Sequence, residues 1–291
     1  SSRGSVLKGA ISAGKASIFL SLLFLSKPKH INTTIKQVAT MKSLMLKAAK
    51  EAGKIILQYY GNYGKLKFKN PRSLLTKVDL LADKTIKNII SKNYPRHNFL
   101  TEESGLIKKG SEYTWIIDPI DGTTNFTSQI PYFAVSIGLA KNKEVVMGIV
   151  YNPCTKETFF AEKGKGAFMN NKRIKVSNKN NIKDALLAFA LPSDIKISKK
   201  TFSLLSKVFG SVRGMRNPGS AALNMCYVAA GKFDLFLSLS LNAWDAAAAY
   251  LIINEANGKV TNIKNEEWKI QDETCIATNK ALHDKFIKML I

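Results

Sequence analysis

Two carboxylates, Asp118 and Asp121, stand three residues apart in the run Trp115-Ile116-Ile117-Asp118-Pro119-Ile120-Asp121-Gly122-Thr123-Thr124-Asn125-Phe126. The apolar residues before Asp118 read as a short buried strand. The strand is expected to stop at Asp118, because Pro119 has no N–H to give to a ladder. Asp121 and Gly122 read as a turn. Thr123 and Thr124 then fall where a helix can begin, with backbone N–H groups not yet used by that helix. Carboxylates alone would repel a phosphate placed against those amides. Carboxylates holding Mg²⁺ would attract one.

The flanking chain supplies elements that could position this run. Met45, Ala48, Ala49, Ala52, Ile55, Ile56 and Tyr59 recur at helical spacing, so a helix is expected from Met41 to the stop at Gly61. Lys65 to Ser73 reads as a basic loop or strand edge. A second helix carries Val78, Leu81, Ala82, Thr85, Ile86 and Ile89 on one face, with Thr76 and Asp79 as a capping pair at its start. Glu102 and Glu103 follow the short apolar element Phe99-Leu100; adjacent acids are ordinarily a solvated surface. Tyr132–Leu139, Glu144–Tyr151, Thr158–Glu162 and Gly166–Ile174 read as an antiparallel meander of hairpins. The polar stretch Asn178–Asp184 marks the expected boundary between a 41–182 subdomain and a 183–291 subdomain. Beyond it strands and helices alternate, which argues α/β layering. Expected strands are Ala185–Leu191, Asp234–Leu237, Lys259–Ile263 and Thr274–Thr278. Expected helices are Lys199–Phe209, Ser220–Ala230, Trp244–Ala256 and Ala281–Leu290. Arg216-Asn217-Pro218-Gly219-Ser220-Ala221 is a glycine turn into a helix, and Asp245 opens the next helix, where it could simply complement the dipole.

Composition narrows the classes. A hydrophobic content of 45% suits a packed core, and the formal net charge is +23. Six of the 44 basic residues are Arg, and Lys, Asn and Ile abound, which points to composition bias more than to a nucleic-acid surface that favours the planar Arg fork. Cys154, Cys226 and Cys275 form no CxxC pair and suit a reducing, cytoplasmic compartment. His30, His97 and His283 are scattered, so neither a histidine metal cluster nor a His-based triad is visible. No apolar run is long enough to span a bilayer. Residues 1–40 hold no Asp or Glu, the first acid being Glu51, and carry the apolar run Ile18–Leu25. They read as an extension: a targeting segment, or sequence upstream of a start at Met41.

The run Asp-Pro-Ile-Asp-Gly-Thr-Thr-Asn-Phe resembles the signature of the inositol monophosphatase family of metal-dependent phosphatases, and the resemblance extends over about residues 42–291. Its Thr-Thr-Asn-Phe ending favours the monophosphatase branch over phosphatases of bisphosphorylated nucleotides or fructose bisphosphate. The resemblance implies a layered αβαβα sugar-phosphatase fold (mixed α/β, α+β), lithium sensitivity and a homodimer. It makes Glu102, Asp118, Asp121, Asp245 and the Ile120 carbonyl ligands of two or three Mg²⁺ ions, with Glu103 in support. It pairs Asp79 with Thr123 to orient an attacking water. Gly122, Thr123 and Thr124 would then hold phosphate oxygens, and Gly219, Ser220 and Ala221 would line the alcohol side of a small phosphorylated alcohol. Two departures stand out. Ser73 replaces a usual acid, and Ser238 replaces the Glu that reads hydroxyls in many inositol-cleaving members, leaving histidinol phosphate or a sugar phosphate as other substrates. A different class of role, binding RNA or the transcription machinery, would use the basic surface.

Overall fold

The computed structural model describes the backbone of residues 29–62, 67–70, 73–75 and 77–290, and the side chains of 41–62 and 77–290. The extension's residues 1–28 and the Thr76 cap lie outside the described residues. The chain divides into two compact units, residues 1–43 and 44–291, and every described element except the start of the first helix belongs to the second.

Helix α1 runs from Lys29 to Gln58, so it begins upstream of the Met41 start read from periodicity. Residues 29–40 hold no proline or glycine to interrupt a helix. The basic stretch after it contains a two-stranded antiparallel ribbon, β1 (Lys67–Asn70) and β2 (Ser73–Leu75). Helix α2 (Lys77–Asn93) buries Val78, Asp79, Ala82, Asp83, Ile86 and Ile90.

The larger sheet has eight strands. They are β3 (Asn98–Thr101), β4 (Gly105–Ile107), β5 (Tyr113–Asp121), β6 (Ala134–Lys141), β7 (Glu144–Asn152), β8 (Glu157–Glu162), β9 (Gly166–Met169) and β10 (Lys172–Ile174). Their order is β10-β9-β8-β7-β6-β5-β3-β4, and every pair is antiparallel except β3 with β5. The meander is therefore as its hairpins suggest. Tight turns at Asn142-Lys143 and Asn170-Asn171 take the left-handed conformation that two-residue hairpin loops require. The β5 expectation needs correction. The strand does not end at Asp118 but continues to Asp121, with a register shift between those two residues against β6. The irregularity takes Pro119 out of the regular ladder, so its missing N–H does not stop the strand.

After a 3₁₀ turn at Ile182–Asp184 the second sheet is built from β11 (Leu186–Phe189), β12 (Gly214–Arg216), β13 (Leu235–Ser238), β14 (Lys259–Thr261) and β15 (Cys275–Thr278), in the order β12-β11-β13-β15-β14. Helix α4 (Ile195–Val208) starts one turn earlier than its apolar pattern implied, because Asp194 caps it by accepting from Lys196 and Ile197 amides at 2.7 and 3.0 Å. Helix α5 (Ala221–Ala229) and helix α6 (Ala243–Glu255) contact elements of both sheets, and helix α7 (His283–Leu290) contacts α4. This is the αβαβα layering.

Helix α6 lies unusually close to the larger sheet. Gly138 and Gly148 face each other across β6 and β7. A Cβ on Gly148 would sit 2.6 Å from the Ala248 carbonyl oxygen, and one on Gly138 would sit 3.4 Å from Ala247 Cβ. Ala246, Ala247, Ala248 and Ala249 are fully buried in return. Small residues on both surfaces bring helix backbone onto sheet backbone.

Candidate metal centre

The end of β5 carries Asp118, Ile120 and Asp121, and the short helix α3 (Thr123–Thr127) starts directly after it. The turn between them is Gly122, at φ +99°, where a Cβ would meet the Gly219 carbonyl oxygen at 3.1 Å. Thr123 donates its hydroxyl proton to one of two acceptors, Asp79 Oδ1 at 3.2 Å or the Ile120 carbonyl at 3.1 Å. Asp79 is fully buried, so helix α2 meets the end of β5 through this contact. Thr124 is exposed and Thr123 partly so.

Asp245 reaches the same place from α6. It is the third residue of that helix, where its carboxylate accepts from the Asn242 N–H at 2.7 Å in a capping box. Ser136, the cross-strand partner of Asp118, donates to the Trp244 carbonyl at 3.2 Å and pins the helix start to β6. One carboxylate oxygen from each of Asp118, Asp121 and Asp245 lies within 4.8 Å of the other two. Glu102 joins from the β3–β4 turn. Its N–H donates to the Ile117 carbonyl at 3.1 Å, and its carboxylate is in hydrogen-bond contact with Asp118.

Such a cluster is electrostatically incomplete. Burial first, then Glu102, Asp121 and Asp245, push the Asp118 carboxyl well above its usual range. Burial and Asp121 raise Asp245 to about 8. Burial raises Asp121 to about 6 even though Ser220 and the Ala221 and Ala222 amides all donate to it. A hard dication reverses each of these penalties at once, because it replaces repulsion between carboxylates with attraction to all of them. The donors are oxygen only and come from three chain segments, which fits Mg²⁺ or a similar hard ion. No competing nucleophile stands here among the described residues. Cys226 is buried and its thiol is pushed well up by that burial. His97 accepts from Trp115 Nε1 at 3.1 Å, and His283 is bonded to Thr261 and Thr278 at 3.1 and 2.9 Å.

Two expectations take a different form. Ser220 is 1% exposed and turns inward. Its hydroxyl donates to Asp121 and accepts from the Leu223 amide as the α5 cap, while the Ala221 amide donates to Asp121 at 3.2 Å. The Gly219-Ser220-Ala221 turn thus cradles a metal-centre carboxylate, so its hydroxyl is not directed at an alcohol. Ser238 is fully buried at the end of β13, with its hydroxyl against the backbone of Ser240. Its hydroxyl is thus already engaged within the chain.

Asn125 also belongs to this framework. Its amide donates to the Tyr132 and Pro218 carbonyls, each at 2.7 Å, and so ties the metal run to the turn that delivers Ser220 onto Asp121. A Cβ on Gly219, at φ +96°, would lie 2.7 Å from that amide nitrogen. An Asn two residues after Thr123 carries no periodic or charge signal that separates it from a helix-turn residue.

Comparison with known proteins agrees with the geometry. A model of the inositol monophosphatase family matches residues 37–290. The chain belongs to the inositol monophosphatase family. That is a family of metal-dependent phosphatases, and the acidic cluster is where the metal would be held. An inositol-1-monophosphatase of Caulobacter vibrioides is 37% identical over 253 residues, 84% of this chain and 99% of the relative. A Nus factor SuhB of Pasteurella multocida is 36% identical, covering 76% of this chain and 84% of its own length. The crystal structure of extragenic suppressor protein SuhB from Bartonella henselae superposes with a TM-score of 0.83 at 37% identity, over 86% of this chain and 98% of that one. Among the described residues no helix is long and apolar enough to cross a membrane.

Proposed function

We propose that this chain hydrolyses a small phosphate monoester, with inositol monophosphate as the first candidate, in a reaction that depends on Mg²⁺. The observation that carries this reading is the convergence of Asp118, Asp121 and Asp245 within 4.8 Å beside the Asp79–Thr123 contact. Asp118, Asp121 and Asp245 would hold one ion; Glu102, Asp118 and the Ile120 carbonyl would hold another. When bound, Mg²⁺ supplies Lewis acidity to the phosphoryl oxygens, to the entering water and to the departing alkoxide. Thr123 leaves its oxygen lone pairs free to accept from water while its own proton goes to Asp79, so the pair orients water for in-line attack. The Gly122 and Thr123 amides, at the entry to α3, would hold phosphate oxygens. Ser220, Ala221 and Ala222 hold the Asp121 carboxylate in the orientation in which it would meet a bound cation. This route needs no covalent intermediate. Release of inorganic phosphate from a panel of inositol, histidinol, sugar and glycerol phosphates, with and without Mg²⁺, tests the reading. Lack of Mg²⁺-dependent turnover on every member would overturn it.

A second reading draws on the SuhB-named relatives and the charge of +23: an association with RNA or the transcription machinery. RNA retained at physiological salt in a filter-binding titration would support it, whereas binding confined to low salt would reflect charge alone. A homodimer and a functional unit that begins near Met41 are further parts of the proposal. Sedimentation of the full chain and of a chain shortened to Met41 tests both.

A further inference from the structure

Helix α2 carries Asp79, Asp83 and Lys87 at successive i, i+4 positions, so one face presents all three. The Asp79 end meets Thr123. The other two meet the β3–β4 turn. The Lys87 ammonium lies 2.6 Å from Asp83 Oδ2, and the Ser104 hydroxyl donates to that same oxygen at 2.9 Å. Lys87 also donates to the Ser104 hydroxyl oxygen, and the Ser104 N–H closes the turn on Thr101 Oγ1 at 3.0 Å. The carboxylate of Asp83 is only 3% exposed, against 22% for the Lys87 side chain. Its other oxygen has no hydrogen-bond partner.

An ion pair this buried contributes little as a stabiliser, since desolvation cancels much of its attraction. Its position suggests a different role. The turn it grips belongs to β4, a three-residue strand at the sheet edge, and it bears the adjacent acids Glu102 and Glu103. Placing Glu102 beside Asp118, Asp121 and Asp245 sets like charges together, and a short edge turn has little of its own to hold it there. We propose that Asp83, Lys87 and Ser104 are positioning residues that hold the Glu102 carboxylate against Asp118. Helix α2 then sets two parts of the centre at once, the Asp79–Thr123 pair and the Glu102 edge. This inference rests on the phosphatase reading of the site.

The test is Mn²⁺ binding to the full chain by calorimetry and electron paramagnetic resonance. The unmodified chain should show two classes of site. Ser104→Ala leaves the Lys87–Asp83 pair in place, so it should fold. It should weaken one class by about five- to tenfold and leave the Asp118–Asp121–Asp245 class unchanged. The Mg²⁺ needed for half-maximal activity should rise by the same factor, with kcat at saturating Mg²⁺ held within about twofold. Ser104→Thr, which keeps the hydroxyl, should restore the weakened class, and Lys87→Met should reproduce the Ser104→Ala pattern. An unchanged Mn²⁺ isotherm in both Ser104→Ala and Lys87→Met overturns the proposal. So does an equal loss in both classes accompanied by a lower metal-free Tm, which would mark a structural role. An unmodified chain that binds no Mn²⁺ would instead overturn the phosphatase reading on which the proposal stands.

Discussion

Asp121 and Asp234 are both buried aspartates supplied with donors from distant chain, yet their surroundings differ in kind. Asp234 accepts from the Ser177 hydroxyl at 2.6 Å, the Lys179 ammonium at 2.8 Å and the Leu186 amide at 2.7 Å. Its charge is matched by a lysine within the fold. Asp121 accepts from Ser220, Ala221 and Ala222, all neutral, and its charged neighbours include Glu102 and Asp245, carboxylates like itself. One carboxylate is balanced by a lysine of the chain itself; the other is surrounded by like charges, an arrangement that suits a cation. Counting hydrogen bonds would rank the two alike. The sign of the nearest charges separates a structural acid from one placed for chemistry.

Substitutions should split along this line. Asp121→Asn keeps size and removes charge from the centre. We expect kcat to fall at least about a hundredfold, or roughly 2.7 kcal/mol of barrier. Near-normal turnover at saturating Mg²⁺ would undo the assignment. Asp234→Asn should do the reverse, lowering stability by about 2 kcal/mol while kcat of the folded fraction is kept. Denaturant titration beside phosphate release measures both, and a matching loss of kcat would erase the contrast.

The pH response sharpens it further. Asp121 at about 6 and Asp245 at about 8 are raised above the ordinary carboxylate range. The folded chain therefore keeps protons that the unfolded chain has released. Without metal, stability should fall as pH rises from about 4 to about 8, by up to about 1.4 kcal/mol per pH unit for each proton involved. Saturating Mg²⁺ should flatten this slope. Tm values from pH 5 to 9 in chelator and in Mg²⁺ give the comparison; a slope that is the same in both would mean the cluster does not bind the ion.

The parts of this design that are repetitive or chemically distinctive were legible in the sequence. Apolar runs joined by short turns marked out the meander, and the Gly122-Thr123-Thr124 run marked a helix start where α3 begins. Strands β4 and β12, three residues each, are too short to show a period. Pro119 misled because a lost N–H ends a strand only where the ladder needs that donor, and the register shift in β5 removes the need. Ser220 misled for another reason. A helix cap and a substrate contact draw on the same hydroxyl, and only tertiary structure shows that Asp121 has taken it. Asn125, Ser136 and the Asp83 network act across 93, 108 and 21 residues of chain, distances over which no local pattern survives.

The Gly138–Gly148 pair has a reach beyond packing. Asp118 and Asp121 are fixed to the sheet, whereas Asp245 rides on α6, about one helical turn from the Ala248 carbonyl that rests over Gly148. The gap between helix and sheet would thus help set how far Asp245 stands from Asp118 and Asp121, and at Gly148 it leaves no room for a side chain. Gly148→Ala would act as a shim. By lifting the helix it should widen the carboxylate triangle and move the preference from Mg²⁺ toward larger Mn²⁺ or Ca²⁺ without altering any ligand. An unchanged ratio of Mg²⁺ to Mn²⁺ affinity in that variant would mean the helix tilts about its N-terminus instead of rising. Ion size would in that case be read at the site by the carboxylates themselves, and from beneath it by glycine if the ratio moves.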